Sequence, residues 1–412
     1  MGWFRKKKKP KKRIANDSDP SIWLEYGKNS YHNHATGQGT SSDQRTSGHF
    51  AHTLIPFYEL EAMYEDNGLA GRMIDLPVDD MFKNWRVWEG SSVDAIVEEE
   101  KRVSYKFQLK EWTKAADVYG GAVLIPLILG QDDLEQPLDL DAIDKGDLLK
   151  WFILDPNTIK KFVTNYVDPT SPTYLQPEYY ILPTTDGTVN IHPSRVFELD
   201  GIRRPVRRRI NGVHDLWGQS RLARYYDSVR TYEEVMGSTA QSVTNSNIDV
   251  IAEEGMSDAL TTEEEANIIQ RASTIARLKS KLGILIQDKS AEYSRQTSNF
   301  SGLAPTIETV QEDCSMVSGI PATKLFGKAK AGMSGDTNDG DIRNYNSDLE
   351  IRQDDFSQHL RIPDEIMIRS ATGMSPEKAG LTYTWAPISV VTDSEAATIE
   401  KDRAAAAQTR ID

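Results

Sequence analysis

Two triplets of the form histidine–any residue–hydroxyl, His34-Ala35-Thr36 and His192-Pro193-Ser194, have the residue types and spacing for a reaction. Paired imidazoles can serve as general acid and general base on a phosphodiester. A second stretch is GIPATKLFGKAKAGMSGDTNDGD, residues 319–341, where five glycines and three lysines run into an acidic cluster. A loop of that composition invites comparison with sites that hold a nucleotide or a metal.

Neither comparison succeeds. A phosphate-gripping P-loop needs G-x-x-x-x-G-K-[ST], but Gly327-Lys328 is followed by Ala329, and the residue five before Gly327 is Ala322. Counting a calcium loop from Asp336, the fifth position is Gly340, where an oxygen ligand is needed. The twelfth is Ser347, where a bidentate glutamate belongs. The acidic residues Asp339 and Asp341 are expected to cap a helix instead. The histidine triplets match the signature of the two-histidine phosphoesterases, which carry each triplet on a strand between apolar residues. Here His34 lies in the polar run YHNHATGQGTSSD and His192 in a turn beside Pro193. With seven histidines in a chain rich in Ser and Thr, chance supplies roughly one such triplet. No Ser-His-Asp order, HExxH or GxSxG occurs. The pairs Asp79-Asp80 and Asp354-Asp355 read as solvated faces or caps. The expectation is a protein that is not an enzyme and takes no cofactor or metal.

The bulk numbers narrow the class. A chain of 412 residues has room for two or three domains. A net charge of −14 excludes wrapping nucleic acid over the whole surface, yet lets DNA slide past an acidic wall without sticking. The single cysteine, Cys314, excludes an intramolecular disulfide framework and a cysteine-based zinc site. Its place in TVQEDCSMVSGI predicts a buried thiol on the apolar side of a helix. The longest apolar stretch, GGAVLIPLILG, is too short to span a membrane as a helix, contains Pro126, and reads as buried strand. The opening block MGWFRKKKKPKKR has no apolar core and reads as a solvated basic arm, not a signal peptide. A contact with an acidic shell protein, a contact with DNA and a nuclear localisation signal remain open for it.

The elements follow from apolar periodicity. Order begins at about residue 53. Leu60, Met63 and Tyr64 form one helical face, and Leu69, Met73, Ile74 and Leu76 a second, with Gly68 and Pro77 as punctuation. Val93, Ile96, Val97, Val103, Phe107, Leu109 and Trp112 predict one helix ended by Gly120-Gly121. Residues 121–200 switch to short β runs, making an α+β unit. A connector with five arginines follows, expected to pair with an acidic surface. Ser220 caps a long helix to about 246, and NIDVIAEEG is a strand. LTTEEEANIIQRASTIARLKSKLG is a helix with a capping box, and ILIQDKSAEYSRQT is strand again. A helix from Ala304-Pro305 to Gly319 precedes the glycine-rich loop. Another begins near Asp341, with Ile342, Tyr345, Leu349, Phe356 and Leu360 on one face. A helix in DEIMIRSATG, a strand in LTYTWAP and an alanine-rich helical tail complete the chain.

In that order, the stretches YEDNGLAGRMIDLPVDDMFKNW (64–85), PSRVFELDG (193–201), GIPATKLFG (319–327) and GDTNDGDIRNYNSDLE (335–350) resemble the phage portal proteins. The likeness is to the branch known as phage-associated proteins of unknown function, and it covers most of residues 55–390. The resemblance implies an α+β fold with an α/β wing, a two-helix stem, a small α/β clip, a tunnel loop and a short helical crown region. In those terms residues 1–52 are a disordered basic arm, 53–220 the wing, 221–247 a stem helix, 248–302 the clip and 303–326 the second stem helix and turn. Residues 327–340 are then the tunnel loop, 341–362 a long wing helix, 363–392 a wing strand region and 393–412 the start of the crown. It implies a ring, usually of twelve copies, at one capsid vertex of the virion, assembled in the host cytoplasm. Double-stranded DNA passes through it during packaging and ejection without sequence readout. The implied partners are the major capsid protein, the large terminase and the head–tail adaptor, with no membrane. Lys328, Lys330, Met333 and Ser334 would face the DNA. Glu253, Glu254, Glu263, Glu264, Lys279 and Lys281 would meet terminase or adaptor.

Overall fold

A computed structural model of the chain describes residues 55–163, 168, 170–172, 174, 176–185, 187–204, 209–210, 213–214, 217–244, 247–252, 270, 273, 292–297, 300, 302–327 and 335–388. The chain divides after Ile55 into two units, and the described residues belong, Ile55 apart, to the second. The arm at 1–52, most of the helix expected between the two strands of the insert, and the tail from 393 lie outside the described residues.

Helices α1 (Phe57–Asp66) and α2 (Gly68–Lys83) meet at Asn67. Its side-chain oxygen accepts the backbone N–H groups of Leu69 and Ala70, 3.0 Å each, and so caps α2. Pro77 does not end this helix, as the sequence suggested, but lies inside it. The lost hydrogen bond and ring clash are outweighed by one buried face, Met73, Ile74, Val78, Met81 and Phe82. Strand β1 (Val87–Glu89) follows.

The single helix expected over 93–119 is two, α3 (Val93–Arg102) and α4 (Tyr105–Tyr119). The break falls at Ser104, which takes a left-handed φ of 52°. Phe107, counted on the apolar face, is exposed, while Ile96, Leu109 and Trp112 are buried. Breaking the helix frees Glu100 and Tyr105 to turn toward the same buried arginine. That gain outweighs the ~1–2 kcal/mol of one left-handed residue. At Gly120, φ +85°, a Cβ would stand 2.8 Å from the Ser220 nitrogen, so only glycine fits where α4 passes the start of the next long helix.

The β runs form two three-stranded antiparallel sheets. In the first, β2 (Gly121–Ile128) lies between β3 (Leu148–Leu154) and β7 (Phe197–Asp200). Strand β7 pairs only with Gly121–Leu124, so at Pro126 the strand has a single neighbour and the missing N–H is tolerated. The second sheet orders β4 (Lys160–Phe162), β5 (Tyr179–Thr184) and β6 (Gly187–Ile191). Val123, Ile125, Ile159, Tyr180, Ile191 and Val196 pack as one cluster and join the sheets. Strands β8 (Arg209–Ile210) and β9 (Val213–His214) make a small antiparallel ladder in the arginine-rich connector.

Helix α5 (Arg221–Thr244) is about 36 Å long at ~1.5 Å per residue. The Ser220 hydroxyl accepts the Ala223 N–H at 3.1 Å, the expected cap. Strands β10 (Asn247–Ala252) and β11 (Glu292–Thr297) pair antiparallel, Asn247 opposite Thr297. Helix α6 (Leu303–Ser318) returns along α5 and closes at Gly319, φ +71°. Between these helices Cys314 is fully buried, its Sγ 3.6 Å from the Ser228 carbonyl, and burial pushes the thiol up to about 11.

The remaining elements are α7 (Ala322–Phe326), α8 (Gly335–His359), α9 (Arg361–Thr372), α10 (Pro376–Ala379) and β12 (Thr382–Thr384), which pairs with β1. The helix expected in DEIMIRSATG and the strand expected in LTYTWAP are both present, as α9 and β12. Ile366, Met367 and Ala371 recur at helical spacing and are buried, and Pro363 sits in the first turn of α9, where it is tolerated. Among the described residues no helix is long and apolar enough to cross a membrane.

These pieces converge on Arg86, which is 4% exposed. Its guanidinium donates to Asp364 Oδ2 at 2.8 Å and to Glu100 Oε1 at 3.0 Å. Glu100 also accepts both neighbouring indole N–H groups, Trp85 at 2.9 Å and Trp88 at 3.1 Å, and Tyr105 donates to Asp364 at 3.1 Å. The rings of Tyr383 and Trp88 lie 4.4 and 4.6 Å from the guanidinium carbon. Burial works against the charge, but Asp364, then Tyr105 and Glu100, outweigh it and hold the guanidinium above its ordinary value.

Replacing Arg86→Met should lower unfolding stability by about 3–5 kcal/mol, because two carboxylates are left without their counter-charge. A loss below ~1 kcal/mol in a denaturant titration would show that the arginine is peripheral to the fold. Cys314 should resist a maleimide at pH 8 in the native chain and react on unfolding. Its thiol keeps its proton to about 11 when folded against 9.0 when exposed, so its contribution to stability is whole below pH 9 and lost as pH rises toward 11.

Candidate functional site

The stretch GIPATKLFG builds one leg of the glycine-rich loop. Ile320 is buried, Pro321 is the N-cap residue of α7, Leu325 is 3% exposed, and Gly327 ends α7 at φ +70°. Lys324 projects from this turn and its Nζ lies 2.6 Å from Asp80 Oδ2 on α2. Arg72, also on α2, donates to the Lys324 carbonyl at 2.8 Å. The Phe326 ring packs 5.8 Å from Tyr232 of α5.

The other leg is α8. Tyr345 donates to the same Asp80 Oδ2 at 3.0 Å, and Lys324 Nζ lies 4.8 Å from the Tyr345 ring. Burial, then Asp80, pushes the Tyr345 hydroxyl well above its ordinary range. About two and three turns further along, Gln353 donates to the Met81 carbonyl at 2.7 Å, and Phe356 meets Phe82 edge-on at 5.6 Å. A single carboxylate on α2 therefore holds both ends of the segment that contains residues 328–334.

The helix begins at Gly335, six residues before the expected start at Asp341. Asp339 and Asp341, expected at its cap, consequently lie inside the bounds of α8. Of the pair Asp79-Asp80, Asp79 is exposed, as expected of a solvated face, whereas Asp80 is partly buried. Asp79 lies 2.7 Å from Lys110 and 3.7 Å from Lys114, which also pairs with Asp75 at 2.6 Å, and Asp80 is the shared anchor. Asp354 and Asp355 are exposed, as expected. The residues predicted to do work, Lys328, Lys330, Met333, Ser334, Glu253, Glu254, Glu263, Glu264, Lys279 and Lys281, lie outside the described residues, as does His34.

His192 is described, and its chemistry is local. Its Nδ1 accepts the Ser194 N–H at 3.2 Å and lies 2.9 Å from the Ser194 hydroxyl, capping the 3-10 turn Pro193–Arg195. The Ser194 hydroxyl in turn accepts the Leu138 N–H at 2.8 Å. Next to it the buried Arg195 donates to the Gln136 carbonyl at 2.7 Å and the Gln131 carbonyl at 3.2 Å. The triplet thus fastens the 131–138 loop to the second sheet.

Two carboxylates are central: Asp80, which the sequence reading placed on a solvated face or cap, and Asp117, which it did not single out. Asp117 is 1% exposed on α4, where it accepts from Arg221 and Arg352. A signal existed for Asp117, since it shares the buried face of α4 with Trp112, Thr113 and Ala116. A charge on an apolar stripe demands a partner. For Asp80 no signal was available, because its partners lie more than 240 positions away.

Asp80→Ala should release both legs. Amide exchange across residues 340–349 is expected to rise about tenfold or more, while exchange across β2 stays unchanged. Equal protection in the variant would mean that the apolar stripe of α8 alone fixes the loop.

A family model described as phage portal protein matches residues 58–409. Over 385 residues the chain is 31% identical to a Caulobacter sp. (strain RHG1) protein named anti-CBASS protein Acb1, covering 90% of this chain and 60% of that one. A Haemophilus influenzae protein without an assigned role is 22% identical over 379 residues, covering 90% of this chain and 84% of that one. The chain spans about 60% of the length of the first curated relatives it matches. Among solved structures, a chain of the virion of a native gene transfer agent particle aligns with a TM-score of 0.48 at 10% identity. That alignment covers 88% of this chain and 92% of that one.

Proposed function

The chain belongs to the phage portal protein family, and from that premise we propose that it works as a ring-shaped conduit for double-stranded DNA at one vertex of a capsid. The observation that carries the reading is the family match from residue 58 to residue 409, nearly the whole of the second unit. In this reading residues 53–220 with 341–392 form the wing, α5 and α6 the stem, and the segment joined by β10 and β11 the clip that meets terminase and, later, the head–tail adaptor. Residues 328–334 are the tunnel loop.

The physics of the described residues supports the loop assignment. A segment that touches a moving, grooved polymer needs freedom at its tip and fixity at its base. The tip residues here are Lys, Ala, Gly, Met and Ser, and the base is held twice by Asp80. Lys328 and Lys330 offer phosphate contacts that carry no sequence information. Elsewhere the net charge of −14 keeps a passing duplex from binding tightly. The role is structural, and the energy for translocation comes from a separate motor. The name anti-CBASS protein Acb1 belongs to relatives of which this chain matches about 60%, so their named activity is not carried over to it. An enzymatic role through His34 and His192 has less support, because His192 is engaged as a cap.

Electron micrographs of the purified full chain should show rings with a central hole. Monomers or solid particles at all concentrations would overturn the reading. Lys328→Glu with Lys330→Glu should leave rings intact and reduce packaged genomes in complementation by about tenfold or more, since weak phosphate contacts repeat around the ring. Changing His34→Ala and His192→Ala together should leave packaging unaffected, and a loss with rings preserved would restore the enzymatic reading.

A further inference from the structure

We propose that Asp117 is a positioning residue that couples the tunnel loop to the β10–β11 strand pair, by giving one carboxylate oxygen to each of the two long helices that lead to them. Arg221, the first residue of α5, donates from Nε to Asp117 Oδ1 at 2.8 Å. Arg352 of α8 donates from Nη2 to Asp117 Oδ2 at 2.5 Å. The carboxylate has 1% of its surface exposed, so water cannot replace either partner.

The two helices are levers of known length. From Gly335, where the loop ends, α8 runs 17 residues to Arg352, about 26 Å. From Arg221, α5 runs to Thr244, and Asn247 of β10 follows. Tyr345, which anchors the loop base to Asp80, lies on the same helix as Arg352, about two turns before it. The helix α8 itself therefore joins the loop base to the Asp117 joint. Hydrogen bonds weaken steeply with misalignment. A shift of α8 along its axis must therefore either drag Asp117 and Arg221 with it or break a bond that nothing else can satisfy. Packed joints of this kind switch between discrete arrangements and do not stretch.

The inference rests on the portal reading for the meaning of loop and strand pair, but its test does not need DNA. Lys330→Cys, labelled with a bulky maleimide in the full chain, perturbs the loop, and the buried Cys314 stays unlabelled. Hydrogen exchange is then read at 221–226 and 247–252. Labelling should change exchange there by about threefold or more in the otherwise native chain and leave it unchanged in Arg352→Met. Arg352→Lys, which keeps a charge beside Oδ2, should restore a response that a merely space-filling residue would not. If Arg352→Met does not fold, Arg221→Gln cuts the other arm and decides the matter in the same way. No response in the native background, or an equal response with an arm cut, overturns the coupling. Ring formation, scored on the same preparations by microscopy, tests the portal reading separately.

Discussion

An arginine placed where water cannot reach must be given its counter-charges by the chain, and the geometry of that gift fixes whatever carries them. Arg86 is such a residue. Its two carboxylates come from α3 and α9, 14 and 278 positions away, and its aromatic neighbours come from α4, β1 and β12. Guanidinium bonds are planar and directional, so these elements have one mutual arrangement that satisfies them. The local oddities follow. The helix predicted over 93–119 breaks at Ser104 so that Glu100 and Tyr105 can approach from either side. The short ladder of β1 and β12, three residue pairs long, closes the cage with Trp88 and Tyr383, whose rings meet at 5.1 Å.

The same solution recurs twice, with the sign of the central charge reversed. Asp117 collects two arginines, and Asp80 collects a lysine and a tyrosine. Burying such groups is not an efficient route to stability, since apolar residues of the same volume often do as well. Its advantage is geometric. An apolar stripe such as Tyr345, Leu349, Phe356 and Leu360 lets a helix slide by a turn at small cost, whereas a two-oxygen carboxylate with two fixed donors does not. The long helices α5 and α8 are registered against α4 and α2 at these points, while their stripes supply the bulk of the burial.

Much of this was legible from periodicity and much of it was not. The α5–α6 pair, the caps at Ser220 and Gly319 and the buried Cys314 all rest on local signals, and the structure has them where spacing put them; of the strands expected in the insert, 247–252 and 292–297 are described and are paired. Pro77 and the single helix over 93–119 misled for one reason: tertiary burial and a buried charge outweigh local propensity by more than a proline or a left-handed serine costs. The start of α8 was missed because Gly335, Gly340 and four polar residues between them carry no apolar stripe. The site divides likewise. Its lysines and glycines are visible as composition, but Asp80 was read as half of a solvated pair, since nothing in a single sequence pairs residue 80 with residues 324 and 345.

The division between tip and base also explains where glycine is used and where it is not. Gly319 and Gly327 both close helices in the left-handed region, at φ +71° and +70°, so they turn the chain sharply on either side of α7. The turn they create is short enough that Lys324 can reach back to α2 while the chain goes on to the loop. If α7 were longer, Lys324 and Phe326 would not both find their partners, Asp80 on α2 and Tyr232 on α5. The glycines at the base therefore specify how the chain turns between α2 and α5.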